Sequence, residues 1–171
     1  DLGERIDGSE HAILGFVAAF GAVAIEDLTV SGFGGFGAIL YETTGSWQGG
    51  EISYCVGVSV LVERSDFEIE SVLIRDGLAG RKIGFAMLSM GLIAADSTQL
   101  TTRSVAIETM RDISALQSAS DVVHEDLKVL DTGWFGVLAL ASAEGGGTLR
   151  IVGESGSRIE AARGVGVAAL G

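Results

Sequence analysis

The chain has 171 residues, of which 47% are hydrophobic and 26 are glycine, and it contains neither proline nor asparagine. Its 23 acidic residues outnumber 11 basic ones and give a formal net charge of -12, which argues against a nucleic-acid or anionic-membrane surface because both need clustered cations. The hydrophobic content suffices for a folded core, and the single cysteine excludes an intrachain disulfide framework.

The first half of the chain predicts a helix followed by a glycine-loop hairpin. Residues 11–25 are alanine-rich and too long for an ordinary strand, which favours a mostly buried helix. Residues 28–30 predict a strand entering the glycine loop 32–37, and residues 38–41 predict a strand leaving it. Residues 52–62 stay open between a strand and a helix packed on a sheet.

The second half predicts alternating strands and helices. Strands are predicted over 68–74, 100–107, 127–130 and 148–152, and helices over 80–95, 135–143 and 157–170. Such alternation predicts an α/β (α+β) fold of two fused small domains, each a short antiparallel or mixed sheet with helices packed on it. The charged segment 63–66 separates domain 1–66 from domain 67–171.

Two glycine-rich loops are the leading candidates for a functional site. Their residues are Gly32, Phe33, Gly34, Gly35, Phe36 and Gly37 in the first loop, and Glu144, Gly145, Gly146 and Gly147 in the second. A strand, a Gly-Ser turn and a segment of small residues follow each loop, which indicates a duplicated module with the loops at equivalent places. The first loop has the spacing of a dinucleotide fingerprint, but a strand follows it where that fingerprint needs a helix. Phe33 and Phe36 either narrow an opening or fold back onto the core.

No catalytic constellation or metal site is predicted. Cys55 lies in an apolar run and is interpreted as a buried small hydrophobe. His11 and His124 have acidic neighbours and are interpreted as solvated surface histidines. The question of enzyme activity stays open, with a non-enzyme favoured.

Residues 81–86 carry the best enzyme signal. Arg81, Gly84 and Ala86 match the Arg/Gln-x-x-Gly-x-Gly/Ala pyrophosphate loop of the GNAT acetyltransferases. This resemblance implies an acyl-CoA-dependent N-acetyltransferase, in which backbone N–H groups at a helix start hold the phosphates of acetyl-CoA. The structural alternative is a helix with a basic first turn.

A second resemblance covers most of the chain. The order helix, strand, glycine loop and strand over residues 12–41 resembles the tandem-domain shell proteins of bacterial microcompartments. Three shorter segments resemble the trimeric ethanolamine- and propanediol-utilisation members: 88–97 (Leu-Ser-Met-Gly-Leu-Ile-Ala-Ala-Asp-Ser), 160–164 (Glu-Ala-Ala-Arg-Gly) and 44–46 (Thr-Gly-Ser). The segments similar to the family's second domain come first here, which implies a circular permutation.

The shell resemblance implies a function without bond-making chemistry. Three chains would form a pseudohexameric tile that packs edge to edge with other shell proteins. The two glycine loops would line a central pore for small polar metabolites, and no cofactor would be needed. A third interpretation is a stand-alone ligand-binding or phosphocarrier-like domain.

The chain predicts a cytoplasmic location, in the shell of a microcompartment if that resemblance holds. Its apolar runs break before the roughly 18 residues that span a bilayer. Its first five residues lack the basic and apolar regions of a signal peptide.

Overall fold

The computed structural model describes residues 5–7, 14–78, 80–82, 85–140, 147–153, 156–160 and 162–170. These residues form strands and no helix. The strands are β1 (Arg5–Asp7), β2 (Leu14–Ser31), β3 (Phe36–Ser53), β4 (Val58–Glu63), β5 (Asp66–Glu70), β6 (Leu73–Gly77), β7 (Gly80–Lys82), β8 (Phe85–Met87), β9 (Met90–Ala95), β10 (Gln99–Arg103), β11 (Ala106–Met110), β12 (Ile113–Ser118), β13 (Asp121–Glu125), β14 (Lys128–Leu130), β15 (Phe135–Leu140), β16 (Leu149–Val152), β17 (Arg158–Glu160) and β18 (Val165–Leu170).

The strands stack in parallel as successive coils of a solenoid. Leu14 pairs with Phe36, and Phe36 pairs with Val58, so the chain returns to the same ladder after each turn. Side A of the solenoid contains residues 14–20 of β2 and 36–41 of β3, then β4, β9, β12, β15 and β18. Side B contains the middle of β2 and β3, then β5, β10, β13 and β16. Side C contains β1, the ends of β2 and β3, then β6, β11, β14 and β17. This arrangement is a parallel β-helix.

The α/β prediction is therefore wrong. The described parts of the predicted helices 11–25, 80–95, 135–143 and 157–170 are the strands β2, β7 to β9, β15, and β17 with β18. The physical reason is that side A is apolar on both faces, so its strands lack the alternation of polar and apolar residues that identifies a half-buried strand. Ladder hydrogen bonds and packing then outweigh the helix preference of alanine.

The predicted hairpin around residues 32–37 is also absent. The strand segments on its two sides belong to side C and side A of successive turns, and each pairs in parallel with the next coil. Strand pairing continues across residues 66 and 67, through β3 with β5 and β4 with β9. The division into domains 1–66 and 67–171 thus coincides with no break in the ladders.

Left-handed backbone conformations make the three corners of each coil. The residues that stack there are Phe20, Glu42, Arg64, Asp96 and Ala119 between sides A and B; Asp27, Gly49, Ser71, Ser104 and Asp126 between B and C; and Gly32, Tyr54, Asp76, Thr109 and Asp131 between C and A. Their φ values lie between 49° and 79°. Aspartate and glycine suit this region best, which shows how a chain without proline or asparagine makes its turns.

A ladder of buried hydroxyl groups follows the corner between sides A and B. Its members are Thr43, Ser65, Thr98 and Ser120. The backbone N–H of Thr43 donates to Ser65 Oγ at 3.1 Å, and Ser65 Oγ donates to the carbonyl of Glu63 at 2.8 Å. Thr98 Oγ1 donates to the carbonyl of Ala95 at 2.7 Å. These bonds satisfy backbone groups where the chain leaves side A, so polar residues are stable inside the solenoid.

A stack of small residues lies at the second position of the side A strands. It comprises Gly15, Gly37, Ser59, Gly91, Ser114, Gly136 and Gly166. A Cβ atom on Gly91 would lie 2.4 Å from the carbonyl oxygen of Ser114 in the next coil. On Gly166, in the last coil, the nearest atom to such a Cβ is 3.8 Å away. Glycine is therefore required inside the stack but not at its end.

We expect Gly91→Ala to lower the free energy of unfolding by about 1–3 kcal/mol, because the added methyl overpacks against backbone. Gly166→Ala is the matched control, and it should leave stability unchanged or raise it by about 0.4–1 kcal/mol through the unfolded chain. Urea unfolding followed by circular dichroism measures both. Equal losses for the two variants would contradict the stacking.

Candidate functional site

The first glycine loop lies at the corner between sides C and A and is mostly buried. Phe33 is 4% exposed and belongs to the core cluster, so its ring folds back into the solenoid. Gly34, Gly35 and Gly37 are buried, whereas Gly32 and Phe36 are half-buried.

The second glycine loop follows β15, near the corner between sides A and B. Glu144, Gly145 and Gly146 lie outside the described residues, and Gly147 is exposed just before β16. Gly147, the one described residue of the second loop, thus precedes a strand of side B, whereas the first loop precedes a strand of side A.

The acetyltransferase-like segment forms a hairpin between β6 and β9. Arg81 in β7 pairs directly with Ala86 in the antiparallel strand β8, and Gly84 lies outside the described residues. The residues that follow are strands, so the helix start predicted to bind phosphate is absent from the described part of this segment.

Cys55 and His124 are both buried. The prediction for Cys55 is confirmed: its side chain is inaccessible, its thiol lies 3.6 Å from the Ser53 carbonyl, and desolvation raises its pKa to about 11. The prediction for His124 is wrong, because this residue is 3% exposed and its Nδ1 lies 2.8 Å from Thr102 Oγ1. Burial lowers the pKa of His124 to about 4. His11 lies outside the described residues.

Other site types have no counterpart among the residues that the structure describes. They contain no group of three or more His, Cys, Asp or Glu side chains that could hold a metal ion. They also contain no helix of the length and apolarity needed to cross a membrane.

The two ends of the solenoid carry unpaired strand edges. Among the described strands, β18 pairs only with β15, and residues 14–20 of β2 pair only with β3. The exposed large hydrophobic residues concentrate in these end coils: Leu14, Val17 and Phe20 at one end, and Val152, Val165, Val167 and Leu170 at the other. They range from 38% to 73% exposed and make up most of the exposed large hydrophobics of the described chain.

The two unpaired side A strands match each other position by position. The register aligns Leu14 with Val165, Gly15 with Gly166, Phe16 with Val167, Val17 with Ala168, Ala18 with Ala169 and Ala19 with Leu170. Neither strand contains a charged residue. Natural edge strands usually carry charges, prolines or bulges that prevent pairing with another chain, and residues 14–20 and β18 contain no charge and no proline.

Side A carries further apolar side chains outside the core cluster. They form two rows: Phe36, Val58, Met90, Ile113 and Phe135 in one, and Ile39, Leu61, Ile93, Leu116 and Leu138 in the other. Val58, Ile93, Ile113 and Leu138 are buried, and the others are half-buried. Both rows continue into the end strands through Leu14 and Val17 at one end and Val165 and Ala168 at the other. Charged residues of the coils lie mainly on sides B and C, as in the β5 sequence Asp-Phe-Glu-Ile-Glu.

Comparison with models of known protein families, with curated proteins and with solved structures finds no match for this chain.

Sequence analysis missed these end strands because it assigned both segments to helices. A usable signal was present: Leu-Gly-Phe-Val-Ala-Ala at residues 14–19 and Val-Gly-Val-Ala-Ala-Leu at residues 165–170 share a large-glycine-large start and an alanine at the fifth position. A repeat of this kind indicates stacked units that present the same strand to a neighbour.

His124 makes stability depend on pH. Its pKa is about 4 in the fold and about 6.5 in an unfolded chain, so the unfolded state binds the extra proton between these values. The stability associated with neutral His124 is therefore complete above pH 6.5 and lost as the pH falls toward 4, a total of about 3 kcal/mol. Between pH 7 and pH 4, we expect the free energy of unfolding of His124→Gln to fall by about 2–3 kcal/mol less than that of the wild type.

Urea unfolding at a series of pH values measures this difference. His11→Gln is the control, and it should follow the wild-type curve. Parallel curves for His124→Gln and the wild type would contradict the assignment.

Proposed function

We propose that this chain is a structural protein whose solenoids stack head to tail into fibres. The observation that carries the proposal is the pair of matching, unpaired and uncharged edge strands at the two ends of side A. The function is assembly, and no reaction is assigned to the chain.

The joint would continue the parallel ladders of the fold. On side A, β18 of one copy would pair with residues 14–19 of the next copy in the register that already relates neighbouring coils. On side C, β17 (Arg-Ile-Glu) would meet β1 (Arg-Ile-Asp) of the next copy. Side B has one described strand fewer than the other sides, so one strand position would stay open there.

The small-residue stack also supports a direct joint. Within the chain, a Cβ atom on Gly136 would lie 2.5 Å from the carbonyl oxygen of Gly166, and one on Gly15 would lie 2.4 Å from that of Gly37. Gly166 would face Gly15 of the next copy in the same way. Two glycines at this contact permit the close backbone approach that the ladder needs.

The apolar side chains at the ends supply the driving force. Burial of apolar surface contributes about 25 cal/mol per Å², and the exposed Leu14, Val17, Val165 and Val167 lie at the joint. The main-chain hydrogen bonds of a new strand pair add specificity, as in other β-augmented complexes.

Self-association was also expected from the shell resemblance, but the trimeric tile depended on helix-containing domains that the described residues do not form. The fibre proposal keeps the expectation that the chain self-assembles, but it replaces the trimeric tile with a head-to-tail stack. A cytoplasmic location and small polar metabolites as ligands stay proposals from the sequence.

Gly166→Val tests the joint without altering the interior. The end coil has room for a Cβ atom at this position, 3.8 Å from Ile159 Cγ2, whereas in a fibre the valine would collide with the backbone of the next copy. We expect the wild type to form fibres with a subunit repeat of roughly 34 Å, seven strands at about 4.8 Å each, and Gly166→Val to stay monomeric. Light scattering over a concentration series and negative-stain electron microscopy measure both.

Thr101→Val is the control, because it places a valine on side B, away from both ends, without a change in side-chain size. It should assemble like the wild type. A wild-type chain that stays monomeric at every concentration, or that stops at a closed dimer, would overturn the proposal.

A further inference from the structure

A groove runs along the corner between sides C and A, across four successive coils. Its volume is about 280 Å³, and its lining includes Leu78, Met110, Arg111, Asp131 and Arg163. We infer that this groove binds a small organic carboxylate with an apolar tail. The inference is independent of fibre formation.

Two arginines in this groove occupy equivalent positions of the solenoid with a glycine between them. Ile113 pairs with Phe135, and Phe135 pairs with Val165; two residues earlier, the same register aligns Arg111, Gly133 and Arg163. The backbone N–H of Gly133 donates to the Met110 carbonyl, and that of Arg163 donates to the Thr132 carbonyl, which holds this alignment. The middle coil therefore contributes no side chain between the two guanidinium groups.

The spacing lets both guanidinium groups reach one ligand. Strands two coils apart are separated by about 9.6 Å, and Arg111, Gly133 and Arg163 all line the same groove. Gly133 cannot be replaced without moving backbone, because a Cβ atom there would lie 1.7 Å from the Arg111 carbonyl oxygen. The packing of the coils thus requires the gap at Gly133 between the two arginines.

Arg111 differs from most other arginines of this acidic chain. Arg64, Arg75 and Arg103 each form ion pairs with two carboxylates. Within the described residues, no carboxylate lies within ion-pairing distance of Arg111. Its side chain is exposed and lines the groove, so it is available to an anion from solution.

The charge balance of the groove selects a monoanion. Arg163 lies 3.4 Å from Asp131, so this pair is close to neutral and Arg111 supplies the net positive charge. Asp131 repels a phosphate dianion more strongly than a singly charged carboxylate, and a carboxylate can accept two parallel N–H bonds from the Arg111 guanidinium group. Leu78, which is 47% exposed, provides an apolar surface for the tail of such a ligand.

The probe for this site is 4-methylpentanoate, titrated by calorimetry into the wild type and into the assembly-blocked Gly166→Val variant. We expect saturable binding to both proteins. Arg111→Gln should weaken it about tenfold, the usual effect of losing a charge-assisted hydrogen bond. Asp131→Asn should strengthen it, because a competing carboxylate is removed.

Arg150→Gln is the matched control, because Arg150 is an exposed arginine on side B, outside the groove. It should bind 4-methylpentanoate as the wild type does, and thermal melting of each variant checks its folding. Absence of binding, an equal loss for Arg111→Gln and Arg150→Gln, or tighter binding of inorganic phosphate than of 4-methylpentanoate would each overturn the inference. Since binding is measured on the assembly-blocked variant as well, failure here leaves the fibre proposal untouched.

Discussion

The parallel ladder between successive coils is the constraint on which the rest of this structure depends. The described strands of each coil pair with the coil before or after it, so equivalent positions must stack in register along the solenoid. That requirement explains why the same residue types recur at the same place: small residues at the second position of side A and hydroxyl residues after the next corner. Extra residues are accepted only at corners, as between β6 and β9, where the ladder from Val58 to Met90 continues despite the inserted hairpin.

The same constraint explains why the ends matter. A stack of coils has no internal reason to stop, because its last strand presents the same hydrogen-bonding edge as every strand inside. Repeat proteins therefore need terminal units with a polar outer face. Here the end strands on side A are apolar and uncharged, and their small and large residues follow the order used inside the stack. An edge that resembles an interior strand is best completed by another copy of that strand.

Sequence reasoning reached part of this fold. It identified the buried Cys55, the strands at 127–130 and 148–152, which correspond to β14 and β16, and the importance of glycine for close backbone approach. It failed where local preference and tertiary structure disagree. Residues 14–25 contain four alanines and no charge, so neither propensity nor alternation distinguishes a buried helix from a strand with two apolar faces. His124 was misjudged because acidic neighbours in sequence face outward on a strand while the imidazole faces the core.

The candidate site was harder to predict because its parts are far apart in sequence. Arg111 and Arg163 come together only through the coil register, and the matching edge strands lie at opposite ends of the chain. A regular 22-residue spacing would have revealed both, but inserted residues before β9 and β16 hide it. Glycine loops attracted attention because they are rich in one residue type, yet Phe33 and its neighbours serve the packing of a corner.

Because the chain has a net charge of -12, the two proposed interactions should depend on salt in opposite ways. Stacking brings like-charged chains together, so repulsion opposes the apolar joint, and added salt should strengthen assembly by screening that repulsion. Carboxylate binding in the groove depends on attraction to Arg111, so the same salt should weaken it. Screening by salt thus has opposite effects at the solenoid ends and at the groove. At the ends, two acidic chains bury apolar surface against each other, so screening reduces a repulsion. In the groove, Arg111 pairs with an anion, so screening reduces an attraction.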